Sequence, residues 1–96
     1  MTQHAPELPM DHRALSRLRW RCRRGMLEND LILERFFRRH EATLTARQGR
    51  GLADLMELGD NDLLDLHLGR KQPRQLDAAL DTADVLEVLG MLRENR

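Results

Sequence analysis

Leu15, Leu18, Cys22 and Met26 recur at intervals of three and four, the spacing that lines up one face of an α-helix. The stripe predicts a first helix from about Asp11 to Arg24, with Gly25 in the position of a C-terminal cap. Arginines cover most of its remaining surface. Trp20 departs from the pattern: at about 100° per residue it falls roughly opposite Cys22, among the arginines. A second helix is expected from Leu27 to about Glu41, with Glu28 and Asp30 at its positive end and Arg38, Arg39 and His40 at its negative end. Ile32, Leu33, Phe36, Phe37 and His40 form one broad apolar face, which makes both phenylalanines core residues rather than ligand contacts.

Thr45 followed by Gln48 has the form of a capping box. It opens a third helix that ends near Leu58, with Leu52, Leu55 and Met56 at core spacing and with Gly49 and Gly51 weakening its first half. Asp60 or Asn61 can cap a fourth helix through Leu63, Leu64 and Leu68, which Gly69 stops. A polar loop from Arg70 to Gln75 follows. Leu76, Ala79 and Leu80 fit one stripe, while Val85, Val88, Leu89 and Leu92 fit a second at a different angle. A break near Asp81 and Thr82, either of which can cap the second stretch, separates the two.

Composition narrows the fold class. The chain has 96 residues, 41% hydrophobic and 33% charged, enough for one small core and no second domain. Valine and isoleucine together number three, aromatics number three and tyrosine is absent, so strand formers are scarce. The expected architecture is all-α: residues 1–10 form a flexible start, and residues 11–96 form a compact single-domain bundle of about five short helices. With Cys22 as the sole thiol no intramolecular disulfide can form, which suits a reducing compartment such as a bacterial cytoplasm. Met1 to Asp11 holds two prolines, Glu7, Asp11 and no arginine, unlike a signal or transit peptide. No apolar run is long enough to insert in a membrane. A soluble cytoplasmic monomer is expected.

The formal net charge of zero conceals a polarity. Residues 1–50 carry 11 arginines against 6 acids, and residues 51–96 carry 5 basic side chains against 10 acids. Such halves either neutralise each other within one fold or present opposite faces to different partners.

Signals for an enzyme are missing. His4, His12, His40 and His67 are never three or four apart and there is no second cysteine, so no metal site is expected. Gly49-Arg50-Gly51 lies inside a predicted helix and matches no phosphate-binding fingerprint. Cys22, although flanked by Arg21 and Arg23, sits on the apolar stripe and reads as a buried structural thiol rather than a nucleophile. His40 and His67 read as core residues. No catalytic residue is assigned.

What remains is Trp20-Arg21-Cys22-Arg23-Arg24-Gly25-Met26-Leu27-Glu28-Asn29-Asp30, where cations, a glycine turn and two acids are packed together. Arg24-Gly25-x-x-Glu28, preceded by Trp20 and Cys22 and followed by Asp30, resembles the Arg-Gly-x-x-Glu signature of the succinate dehydrogenase FAD assembly factors, small helical proteins of bacteria and mitochondria. Phe36-Phe37 followed by Leu44-Thr45 is similar to that family's second helix and its exit. Leu55-Met56, Asp60-Asn61-Asp62-Leu63-Leu64 and Gly69-Arg70 resemble its third and fourth helices. The resemblance runs from about Arg19 to Pro73. Where family members often carry a tryptophan in the fourth helix, this chain has Leu66 and His67, and its segment from Gln72 to Thr82 is longer.

The resemblance implies a five-helix bundle that binds the flavoprotein subunit of succinate dehydrogenase, and by extension that of fumarate reductase, and promotes covalent FAD attachment at a histidine of that partner. It also implies that Trp20, Arg24, Gly25, Glu28 and Asp30 form the partner-binding surface. Elementary chemistry is compatible with docking. Gly25 permits positive φ and a close backbone approach, Arg24 offers a planar fork of donors, Glu28 and Asp30 orient that fork or meet a basic group, and Trp20 is an amphipathic anchor. The same residues also suit a plain helix cap with a local Arg24–Glu28 ion pair, worth at most about 0.5 kcal/mol if exposed. No flavin-binding fingerprint is present, so no tightly bound cofactor is expected.

Two other classes stay open at this point. Six arginines between Arg13 and Arg24, with Trp20 among them, could form a nucleic-acid-binding helix, although the zero net charge and the acids after the motif weigh against nucleic acid as a partner. A small adaptor using the same helical surface is the other.

Overall fold

The computed structural model describes residues 8–94, almost all of them in short helices or the turns between them. These are α1 (His12–Arg21), α2 (Leu27–His40), α3 (Ala46–Leu55), α4 (Asp60–His67), the single turn α5 (Pro73–Leu76), a 3₁₀ turn (Ala78–Leu80) and α6 (Ala83–Arg93). The all-α class follows from the periodicities above, and the boundaries show which local chemistry prevails.

Thr45 and Gln48 form the expected reciprocal box. The Gln48 N–H donates to Thr45 Oγ1 at 3.2 Å and the Thr45 N–H donates to Gln48 Oε1 at 3.0 Å, so α3 starts at a fixed residue. Thr82 caps α6 by accepting from the Val85 N–H at 3.2 Å. Gly69, at φ +76°, ends the turn after α4 as expected. α4 starts differently: Gly59 is its N-cap and makes no side-chain bond. Asp60 stands one residue inside the helix, its carboxylate engaged by Arg24 instead. α1 stops at Arg21, not Arg24, and α3 at Leu55, not Leu58. Within the expected loop Pro73 nucleates the extra turn α5, because its fixed φ suits a first helical position.

The start of the chain is tied down where it is described. The Met10 N–H donates to the Leu44 carbonyl at 2.7 Å, and Pro9 faces Thr45 in an isolated antiparallel bridge. Met10 packs against the core; Met1 to Glu7, the greater part of the start expected to be flexible, lie outside the described residues.

Phe36, Leu52, Leu55, Leu63, Leu66, Val85, Val88 and Leu92 are fully buried. α3 lies along α6, and α2 closes the core with Phe36 and Phe37 packed edge to face, their centroids 5.3 Å apart. Gly51 lets α3 approach so closely that a Cβ there would lie 2.8 Å from the Asp84 carbonyl oxygen. At the far end Arg93 donates to the Leu66 carbonyl from Nε (3.0 Å) and Nη2 (2.7 Å), which docks the end of α6 on α4.

Part of the charge polarity is spent inside the fold. Arg21 pairs with Glu57, Arg24 with Asp60 (2.6 Å), and Arg47 with both Asp84 (2.8 Å) and Glu87 (2.6 Å). Each pair joins the basic half to the acidic half. Among the described residues no helix is long and apolar enough to cross a membrane, and no cluster of histidine, cysteine and acidic side chains could hold a metal ion.

Candidate functional site: a groove beside the Gly25 turn

Between α1 and α2 the chain reverses through Cys22–Met26. Gly25 lies at φ +91°, a backbone conformation that side chains with a Cβ rarely adopt. The turn is fixed by Asp30, whose carboxylate accepts the Arg24 N–H and the Gly25 N–H, each at 3.1 Å. These two bonds draw Arg23, Arg24 and Gly25 out of the α1 helix, which is why that helix ends early.

Arg24 turns away from solvent. Its Nε donates to Asp60 Oδ1 at 2.6 Å, Nη1 to the Met56 carbonyl at 2.8 Å, and Nη2 to the Leu58 carbonyl. The guanidinium thus seats the motif on the turn between α3 and α4, and the local ion pair with Glu28 does not form. Beside it Asn29, fully buried, donates from Nδ2 to the Asp60 carbonyl at 3.0 Å.

On the outer side of the turn α1 and α2 diverge around an open groove of 620 Å³, lined by Ser16, Arg19, Trp20, Arg23, Gly25, Leu27, Asp30, Leu31, Glu34 and the edge of Phe37, with Cys22 and Leu33 beneath. Its rim mixes charged side chains with large apolar ones left in water: Trp20 is 73% exposed, Leu27 66% and Leu31 40%. Arg23 lies over the Trp20 indole, 5.5 Å from the ring centroid, a cation–π contact worth about 0.5–1 kcal/mol at an exposed site. A side chain added at Gly25 would meet nothing within 4 Å, so it would project into open space above the turn. The Cys22 thiol, 3% exposed, is pushed up to about 12 by burial, against the lowering influence of Arg24 and Arg21. It remains protonated at neutral pH and supplies no nucleophile.

The structure therefore divides the five residues singled out from the sequence. Trp20 and Gly25 are exposed and line the groove, Glu28 is exposed outside its lining, and Arg24 and Asp30 are half-buried and organise the turn, with Asp30 also reaching the groove. Leu27 and Leu31, which extend the apolar rim, were not singled out, although their exposure could have been read from their position off the Ile32–Phe36 stripe. Asn29 was missed too, and its place four residues before Leu33 and seven before Phe36 is the available sign that it faces inward. Asp60 gives no such sign.

A family described as the flavinator of succinate dehydrogenase matches residues 16–93. The chain belongs to this family. A relative in Ralstonia nicotianae, named an FAD assembly factor, is 54% identical over 78 residues, which cover 81% of this chain and 79% of the relative. FAD assembly factors of Legionella pneumophila, strain Lens (34% over 84 residues, 88% and 96% of the two chains), and Coxiella burnetii (40% over 60 residues, 62% and 73%) are similar as well. No solved structure matches the chain. The flavinator match begins within α1 and ends at the last residue of α6, so the groove, the Gly25 turn and the α3–α4 seat all lie inside the family's span.

Proposed function

We propose that this chain promotes covalent attachment of FAD to the flavoprotein subunit of succinate dehydrogenase, and to that of fumarate reductase, by docking on it through the groove beside Gly25. The observation that carries the reading is the exposed strip of Trp20, Leu27 and Leu31 around a positive-φ glycine with open space above it. Large apolar side chains left in water beside a fixed turn suit an interface core, and membership of a family described as the flavinator of succinate dehydrogenase supports that enzyme's flavoprotein as the partner. Trp20 enters the partner as an anchor, Glu28 meets a donor or cation at the rim, and Gly25 lets the two backbones approach.

The role is organisation rather than chemistry. The groove's one thiol is buried and protonated at neutral pH, so it offers no thiolate nucleophile. The factor keeps the flavoprotein in the conformation in which it attaches its own flavin, lowering the cost of arranging that site. It acts in the cytoplasm as a monomer and holds no FAD tightly itself.

The test is covalent flavin fluorescence of the succinate dehydrogenase flavoprotein on a denaturing gel, from cells lacking their own factor and supplied with wild-type protein or Gly25→Arg. Wild type restores the fluorescence. Gly25→Arg strains the positive-φ turn but sends its side chain away from the body of the protein, so it keeps its helical circular dichroism and loses at least nine-tenths of the fluorescence, on the order of the tenfold that 1.4 kcal/mol of lost interface energy produces. Loss of the helical signal as well would assign the effect to the strained turn. No fluorescence with the wild type, with both proteins expressed, removes the assignment.

A further inference from the structure

We propose that Asp60, thirty-six positions from Arg24 along the chain, is a positioning residue of the docking surface and that Arg24 acts through it rather than on the partner. The inference rests on the proposed docking function but makes a separate claim about how the surface is held. All three guanidinium nitrogens of Arg24 are already committed, to Asp60 Oδ1 and to the Met56 and Leu58 carbonyls, and its side chain is only 16% exposed. Those carbonyls belong to the C-cap of α3 and the turn that follows it, beside the negative end of the helix dipole. Asp60 adds a full negative charge at the same place and, through its own carbonyl, takes the buried Asn29 amide. A planar fork fits one carboxylate and two carbonyls at once, which the point charge of lysine does not.

The consequence is a lever. The turn holding Gly25 is gripped from α2 by the carboxylate of Asp30, which lines the groove, and from α3–α4 by Arg24, so its place on the groove lip also depends on two residues outside the lining, Arg24 and Asp60. Loss of Asp60 leaves a half-buried cation facing carbonyls alone and frees the turn, with the groove's own side chains intact.

Arg24→Lys, Asp60→Ala and the double variant test this in two measurements. In the isolated protein each single variant speeds hydrogen exchange of the Gly25 amide about tenfold, as expected for loss of one charge-assisted contact. The double variant adds nothing further, and core amides such as that of Leu52 keep wild-type rates. In cells, both single variants lower covalent flavin on the succinate dehydrogenase flavoprotein to the same level. Asp60→Asn, which keeps an acceptor oxygen for Arg24 Nε, recovers most of it.

Wild-type flavinylation with Asp60→Ala alongside loss with Arg24→Lys would mean that Arg24 touches the partner, and would overturn the proposal. Additive effects, or faster exchange throughout the core, would overturn it too. If the wild-type protein supports no flavin attachment at all, the functional reading falls, and the exchange measurement alone decides whether Asp60 holds the turn.

Discussion

Replacing Gly51 by alanine sets helix propensity against backbone packing, and the distances decide which prevails. In a helix interior the exchange gains about 1 kcal/mol. At Gly51, however, the new Cβ lies 2.8 Å from the Asp84 carbonyl oxygen, 3.0 Å from its carbon and 3.3 Å from the Val85 nitrogen. These are main-chain atoms at the start of α6, fixed by the Thr82 cap, so nothing can rotate aside and the two helices must part. Overpacking of this kind costs about 1–3 kcal/mol, here toward the upper end, which leaves a net loss of about 1–2 kcal/mol. For a domain of this size each kcal/mol moves the melting temperature by about 4–8 °C, so thermal unfolding followed by circular dichroism should fall by about 4–16 °C. Gly49→Ala is the internal control. Its Cβ meets the Met10 Sδ at 2.7 Å and Cε at 3.0 Å, the far end of a flexible side chain, so the propensity gain survives and the melting temperature holds or rises. Gly51→Ala melting at or above wild type, or Gly49→Ala melting below it, would refute the reasoning.

Two dependences on pH follow from named groups. Cys22 releases its proton near 9.0 when unfolded and only at about 12 when folded, so the folded state binds more protons between these values. Its contribution is complete below pH 9 and declines as pH rises, by up to about 1.4 kcal/mol per pH unit. Urea midpoints measured upward from pH 8 should fall in wild type and more gently in Cys22→Ala; parallel slopes would show that the thiol is not responsible. Glu87 is shifted the opposite way. The bonds that Arg47 and Gln48 donate to its carboxylate, at 2.6 and 2.9 Å, hold it below its ordinary value of 4.5. Its contribution is present above that value and disappears as pH falls through the depressed one. The carboxylate is exposed, so less than about 1 kcal/mol is at stake. Glu87→Gln should lose less stability than wild type between pH 6 and pH 3, and an equal loss would count against the contact.

Helices with a sharp local signal were legible in the sequence. The Thr45–Gln48 box, the Thr82 cap, the Gly69 stop and the two phenylalanines of α2 are each decided within a few residues, and they appear where the pattern puts them. Trp20 was legible for the opposite reason, because its position contradicts the stripe it sits on. Boundaries set by distant partners were not. α1 ends at Arg21 because Asp30 captures the next turn, and Asp60 does not cap α4 because Arg24 occupies its carboxylate. Arg24 is the instructive residue. Its motif neighbours suggest either a free donor or a short pair with Glu28, and only the folding of α3 and α4 beneath it supplies three acceptors that no spacing rule could list.

The pairing of α3 with α6, and of early arginines with late acids, also dictates an order of events during synthesis. A ribosome adding about 5–20 residues per second releases Arg21, Arg24 and Arg47 before Glu57, Asp60, Asp84 and Glu87 exist to neutralise them. The apolar face of α2 likewise emerges ahead of the Val85–Leu92 stripe that shares its core. Each half lacks the opposite charges and the apolar surface that the other supplies. The shared core therefore closes only when α6, the last helix to be made, packs on α3, α2 and α4.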